Sequence, residues 1–397
     1  MNILILDDET PRANLWKSTL ESFTSCQFTV YNVQQVSDLI GELHRARFES
    51  RSGNFKAVNT LDEFDLIIID YDLLGLETVH PAAWATGAEI AYTIRLMCNT
   101  GPIVVVNQVG TNSFDLTMRR TVSSYADLDV GSAQITDQGL WVSEAFQEFR
   151  PWHWPDLHKE VERFKNTQSF VLEHFDQPIM KTLGFEIDDS DSPAFLNYEI
   201  AAFIGATQHN QITFRDIVMN NAALRVFNIL EKDHEILKTM PDDQLARVCS
   251  AILLHWLEKV LLPAQEVISD APHLAIQIPW IIDNPEDISN WSSLCSLNNE
   301  NIPKKLVDHS FNPGFLFSRP VFWGEKAKRE ISMPGDFEFS RLPQIQFSEN
   351  TSSFTPEDNL TSFPSDVLAF DRKRWVWTEK SSGADHVNYE PQSYLLM

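Results

Sequence analysis

Three short apolar runs, each closing on a polar residue, constrain this chain more than any other feature. Ile3 to Leu6 runs into Asp7, Asp8 and Glu9; Leu66 to Ile69 runs into Asp70; Ile103 to Val106 runs into Asn107. A run of about four apolar residues without alternation is the pattern of a strand buried on both faces. Phe28 and Val30 alternate with polar neighbours and predict a second strand, and Leu128 to Val130 a weak fifth. Between the strands lie helical spacings: Pro11 suits a first turn before Leu15, Trp16 and Leu20, and Val36 to Leu43 and Ala88 to Met97 follow. His44 to Thr60 is polar and reads as an insertion or long loop. Alternating strands and helices predict an α/β unit, a doubly wound parallel sheet with helices on both faces. Ligands of such sheets sit at the carboxyl ends of the strands, where Asp7, Asp8, Asp70 and Asn107 would gather.

Arg150-Pro-Trp-His-Trp-Pro155 breaks the alternation. Beyond it the spacing predicts a mostly helical domain: one helix from Asp156 to Phe175, another from the Ser192-Pro193 start to about Thr207, and a long one from a Thr213–Asp216 capping box to about Lys238. Leu245, Val248, Ile252, Trp256 and Val260 form an apolar stripe on the next. From about Ala271 the sequence becomes irregular and aromatic-rich, with Phe315 to Phe317 and Trp375 to Trp377 as short strands or extended pieces. The predicted organisation is therefore 1–150, an α/β domain; 151–270, a helical domain; and 271–397, an irregular region packed on the helical one.

Net charge is −25, and both parts share it: 20 Asp+Glu against 10 Lys+Arg up to Arg150, and 36 against 21 beyond. A net charge this acidic argues against binding to a phosphate backbone, which needs a local excess of Lys and Arg, so nucleic acid is not expected as a ligand. Arg372 to Trp377 is the one compact basic–aromatic patch, and pairing with the chain's own acids is its expected role. Cys26, Cys98, Cys249 and Cys295 have no paired spacing and are expected to be buried free thiols in a reducing compartment. No apolar stretch approaches a membrane span, so no membrane contact is expected, and the acidic start lacks a secretory pattern, so the expected location is cytoplasmic.

Carboxylates converging at strand ends raise one another's pKa values unless a cation is present. Mg²⁺ takes oxygen ligands, and Asp7, Asp8 and Asp70 suit it. The segments "ILILDDE", "FDLIIIDYDLLG" (64–75), "GAEIAYTIR" (87–95) and "GPIVVV" (101–106), in this order, resemble the receiver domain of response regulators, over roughly the first third of the chain. The resemblance implies a flavodoxin-like sheet, Mg²⁺ held by Asp7, Asp8, Asp70 and the backbone carbonyl of Asp72, and Asp70 as phosphoacceptor. It implies a histidine kinase or an output protein as partner, and allows a homodimer.

Two departures matter. Asn107 stands at the switch position where receivers carry Ser or Thr, and no lysine occurs between Lys56 and Lys159, so the switch lysine is missing. Arg119 and Arg120 lie too early to replace it cleanly. The chain then reads as an atypical response regulator or a pseudo-receiver scaffold, its C-terminal two thirds an interaction or output module, and not as an enzyme. An effector or enzyme with an unrecognised site beyond residue 150 is the alternative. A Toprim-like reading of Asp70, Asp72 and Gly75 is a weaker one, since it needs a glutamate and a glycine after the first strand, where this chain has Asp-Asp-Glu and no glycine, and the acidic charge also disfavours it. His153, His158, His255 with Glu258, and the acid-rich Glu186 to Asp191 are read as packing or solvated groups.

Overall fold

The computed structural model describes residues 1–73, 75–76, 86–107, 126–132, 134–142, 152, 155–185, 211–219, 229–297, 302–362 and 374–377. Five parallel strands, β1 (Asn2–Leu6), β2 (Gln27–Val30), β3 (Leu66–Asp70), β4 (Ile103–Asn107) and β5 (Leu128–Gly131), lie in the order β2-β1-β3-β4-β5. Ile3 pairs with Phe28 on one side and Leu66 on the other. Because side chains alternate along a strand, each apolar run feeds two cores. Ile3, Ile5, Leu66, Ile68, Val104 and Val106 meet Ala13, Trp16 and Leu20 of α1 (Thr10–Glu21). Leu4, Leu6, Ile67, Ile69, Ile103 and Val105 meet α2 (Val33–Ser50) and α3 (Gly87–Met97) on the other face. The parallel sheet with helices on both faces is consistent with a flavodoxin-like α/β fold.

The loop expected over His44–Thr60 starts only after Ser50, because α2 continues that far. Asn32 and Gln35 close a capping box at its start. Val36, Leu39, Ile40, Leu43, Ala46, Arg47 and Ser50 recur every three or four residues as its buried face. The polar-looking end of α2 is buried because Arg47 and Arg51 have a partner. Asp233, fully buried, accepts from Arg47 Nη2 at 2.6 Å, Arg51 Nε at 2.7 Å and Tyr92 Oη at 2.7 Å. The same contact interrupts the helix expected to reach Lys238. The Thr213–Asp216 pairing does open a helix, Phe214–Met219. Ile229 and Leu230 are not helical, and the chain turns through Glu231–Asp233 before His234–Thr239. Leu230 N–H donates to Tyr92 Oη, so the interruption sits on the clamp.

α4 (Leu157–Glu173) opens on the Asp156 cap, and helix Asp242–His255 packs against it. The latter is buried nearly all round and shares one hydrophobic cluster with α2, α3 and the sheet. It widens into a π turn, Trp256–Leu261, ahead of Pro263, which has no backbone N–H for an α-helical bond. The helix expected over 192–207 lies outside the described residues.

β6 (Ile268–Asp270) pairs with β7 (Val321–Trp323). β8 (Ile345–Ser348), β9 (Ser353–Pro356), β10 (Leu360–Ser362) and β11 (Trp375–Trp377) form a second sheet, ordered β10-β11-β8-β9. Trp375 to Trp377 is thus the strand expected. Phe315 to Phe317 is not: Gly314–Leu316 is a tight 3₁₀ turn after Pro313. The Leu316 carbonyl accepts from buried Arg163 Nη1 at 3.1 Å. Among the described residues no helix is long and apolar enough to cross a membrane, and the four cysteines are free thiols, with Cys295 half-buried and the others buried.

The second sheet is fastened through His273. Nδ1 lies 2.6 Å from Asp270 Oδ1, and Nε2 lies 2.6 Å from Glu349 Oε1. A neutral imidazole has one N–H, so two such contacts require the imidazolium. Arg374 donates to Glu349 at 2.8 Å, and Trp152 Nε1 to Asp270 at 2.7 Å. Burial works against the charge on His273, but Asp270 and Glu349 outweigh it and lift its pKa from 6.5 to about 9. A raised folded-state pKa gives stability that is whole below the unfolded value and disappears as pH rises through the folded one. We therefore expect about 3 kcal/mol of stability to be lost between about pH 6.5 and pH 9 or above. Urea unfolding across that range measures it, and His273→Gln should flatten the profile.

Candidate functional site

The carboxyl ends of β1 and β3 lie side by side at the point where the strand order reverses. β1 delivers Asp7 and Asp8 just beyond Leu6, and Asp70 closes β3. One oxygen from each of Asp7, Asp8 and Asp70 falls within 4.8 Å of the others. The three expected carboxylates are therefore brought together by the sheet alone. Asp7 and Asp70 are fully buried.

Local backbone holds them in place. Glu9 N–H donates to Asp7 Oδ1 at 2.7 Å, and Gly75 N–H to Asp8 Oδ2 at 2.6 Å. α3 begins against the carbonyl of Asp70. A Cβ at Gly87 would collide with that oxygen, so only glycine lets the helix start there.

The cation these acids need is in the chain. α1 starts at once after the acids, and its first turn sends the Arg12 side chain back over the strand ends. Arg12 Nη2 lies 2.7 Å from Asp7 Oδ1, 2.5 Å from Asp70 Oδ2 and 3.4 Å from Asp8 Oδ1. Arg12 Nε adds a bond to Asp7 Oδ2 at 2.9 Å, making the contact with Asp7 bidentate. Glu9 stands 3.4 Å from Nη1, and the guanidinium lies 5.9 Å from the Trp16 ring centre. Burial opposes its charge, yet Asp7, Asp70 and Glu9 raise the Arg12 pKa. Asp8 is pushed above the usual carboxylate range, first by burial and then by Asp7, although its bond from Gly75 and the Arg12 charge pull the other way.

An all-oxygen donor set suits a hard divalent ion such as Mg²⁺. The place it would take is the place of Nη2, so the donors fit Mg²⁺ only with Arg12 displaced. Arg12 is 19% exposed and reaches the pocket from the solvent side, so displacement needs no change in the sheet.

The other expected site residues are less convergent. The side chain of Asp72 is exposed, and its backbone bridges to Thr86. Asn107 ends β4 opposite Gly131. Its side chain lies outside the described residues, as do Arg119, Arg120, His153, Glu186 to Asp191, and Asp371 to Lys373. His158 is exposed, with Nε2 3.6 Å from Cys26 Sγ. Arg374, from the basic patch, is buried against Glu349 and the Pro263 carbonyl, as intramolecular pairing predicts. Burial and Lys259 lower His255 to about 4, and Arg163 holds Glu258 low, to about 2, against a burial effect that raises it.

Arg12 is the residue of this cluster that strand-end reasoning passed over. The signal for it is the one basic side chain within five residues of the acid pair, at the start of a helix that must double back over them.

No protein-family description, no curated protein and no solved structure matches this chain.

Arg12→Ala leaves three carboxylates without their internal counter-charge. We expect a loss of about 2–4 kcal/mol in chelator-treated buffer, restored in large part by millimolar Mg²⁺. The wild type should respond weakly to the same addition. Thermal unfolding of both proteins with and without Mg²⁺ makes the comparison, and an identical Mg²⁺ response would remove Arg12 from the cation position.

Proposed function

We propose that this chain is a pseudo-receiver scaffold, a receiver-like domain whose acidic pocket is closed by its own arginine and whose helical and C-terminal parts serve binding to another protein. The observation that carries the reading is Arg12 Nη2 within 3.4 Å of all three acids.

Phosphoryl acceptance at Asp70 needs a free carboxylate oxygen and a cation that gathers the incoming oxygens. A divalent ion bound there would supply charge neutralisation and orientation. Here Asp70 Oδ2 accepts a charged hydrogen bond at 2.5 Å, which lowers its electron density and covers its approach. Switching further needs groups that contact the phosphorylated state and not the other. The sequence offers neither the lysine nor the hydroxyl residue that receivers use. A pocket held by Asp7–Arg12–Asp70 instead fixes the loop ends of β1 and β3 in one arrangement, which suits a binding platform.

The α2–α3 face also supports a scaffold role. It is taken up by the helical region through Asp233, so whatever this chain binds meets a composite surface rather than a free receiver domain.

Acetyl phosphate with Mg²⁺, followed by intact-mass measurement, tests the proposal. Wild-type protein should gain no phosphoryl group. An adduct present in the wild type and lost in Asp70→Ala would replace the scaffold reading with a phosphorylated regulator.

A further inference from the structure

Far along the chain from the acidic pocket, three rings form a small cluster in which Trp280 and Phe337 are half-buried and Phe339 is exposed. Phe337 and Phe339 have centroids 5.1 Å apart, Trp280 and Phe337 5.6 Å, and Trp280 and Phe339 6.4 Å, all edge to face. Phe339 is 60% exposed, and Met333, in the same loop, is 49% exposed. The loop is fastened at both ends. Trp280 Nε1 donates to the Ile331 carbonyl at 2.9 Å, and Arg341 pairs with Glu338 at 2.9 Å and Glu286 at 3.5 Å.

We propose that this cluster is a docking surface for a basic segment of a partner protein, one that carries Lys or Arg beside apolar anchors. Rings braced against one another keep little freedom to lose, so covering them costs little ordering entropy. Trp, Phe, Met and Arg are the residues enriched where proteins meet. The sign of the partner follows from the rim. Asp283 lies three residues after Trp280, Asp336 adjoins Phe337, and Glu286 and Glu338 flank Arg341; all four acids are exposed. Arg341 is already paired with two of these acids, and Lys305 Nζ donates to the Trp280 carbonyl at 2.7 Å. The surplus around the rings is therefore negative, and complementarity selects a positive partner. A second copy is disfavoured, since each chain carries −25. The proposal does not depend on what occupies the Asp7–Asp70 pocket.

A fluorescent peptide that alternates Lys with Leu and carries one Trp, and its Glu-for-Lys counterpart, are titrated against the full chain by anisotropy. The Lys peptide should bind. Phe339→Ala should weaken it about tenfold with an unchanged melting temperature, whereas Phe48→Ala, at an exposed phenylalanine on α2, should leave it unaltered. The Glu peptide should not bind. Equal affinity of the wild type and Phe339→Ala would reduce the effect to general attraction toward an acidic surface and overturn the assignment. So would absence of Lys-peptide binding, or a wild-type dimer in sedimentation that Phe339→Ala abolishes.

Discussion

A carboxylate that cannot reach water has to find its counter-charge inside the protein, and the arrangement of this chain depends on one such case. Asp233 has no exposed surface and is met by Arg47, Arg51 and Tyr92. Those donors belong to α2 and α3; the carboxylate belongs to the helical region. Stripping one partner from a buried ion pair is costly, of the order of 3–5 kcal/mol, because the remaining charge is left in a poor solvent. Burial alone would raise Asp233, but Arg47, Arg51 and Tyr92 hold it below the usual carboxylate range. The helical region therefore seats in one register on the sheet. Apolar packing of Leu245, Val248 and Ile252 against that face supplies attraction but little direction.

The same logic recurs at each junction. Arg163 stands between Glu160 at 2.5 Å and Glu258 at 3.3 Å where α4 meets the π turn. Arg95 pairs with Asp127 between α3 and the entry to β5. His273 lies between Asp270 and Glu349 where the C-terminal sheet joins. In a chain with 31 Lys+Arg against 56 Asp+Glu, these arginines sit on internal carboxylates, and much of the surface is left to acids. A strongly negative exterior and a charge-paired interior are two consequences of one composition.

This explains what could be read from sequence and what could not. The sheet was legible because a doubly buried strand needs an apolar run, and here three such runs are short, close on polar residues and alternate with helical spacings. The gathering of Asp7, Asp8 and Asp70 was legible with it, since strand ends adjoin once the order is fixed. The end of α2 was not. Arg45, Arg47, Arg51 and Ser52 look like a loop until Asp233, some 180 residues away, is placed beside them (|i−j| is 186 for Arg47). The break before Asp233 was hidden for the same reason. Local spacing favoured one helix, and a distant ion pair decided otherwise. His273 and Glu349, 76 residues apart, carried no signal at all. Arg12 is a different case, because Asp7 and Asp8 lie within five residues of it and only Asp70 is distant. It was missed because a cation was sought outside the chain.

That last point bears on how an acidic pocket is to be understood. Three converging carboxylates state a demand for positive charge, and they do not specify its source. A guanidinium and a divalent ion satisfy the demand differently. The ion takes several oxygens at about 2.1 Å and leaves open positions for an incoming ligand. The guanidinium is planar, makes directed hydrogen bonds, here 2.5 to 2.9 Å long to Asp7 and Asp70, and brings no coordination position for an incoming ligand. Replacing the ion by the guanidinium still puts positive charge among the strand-end acids, though one unit less of it, while removing the coordination chemistry. A parallel sheet with acids at its strand ends can in this way hold them under purely structural demand. The presence of Asp7, Asp8 and Asp70 is then evidence about the sheet, and the position of Arg12 shows which charge answers them.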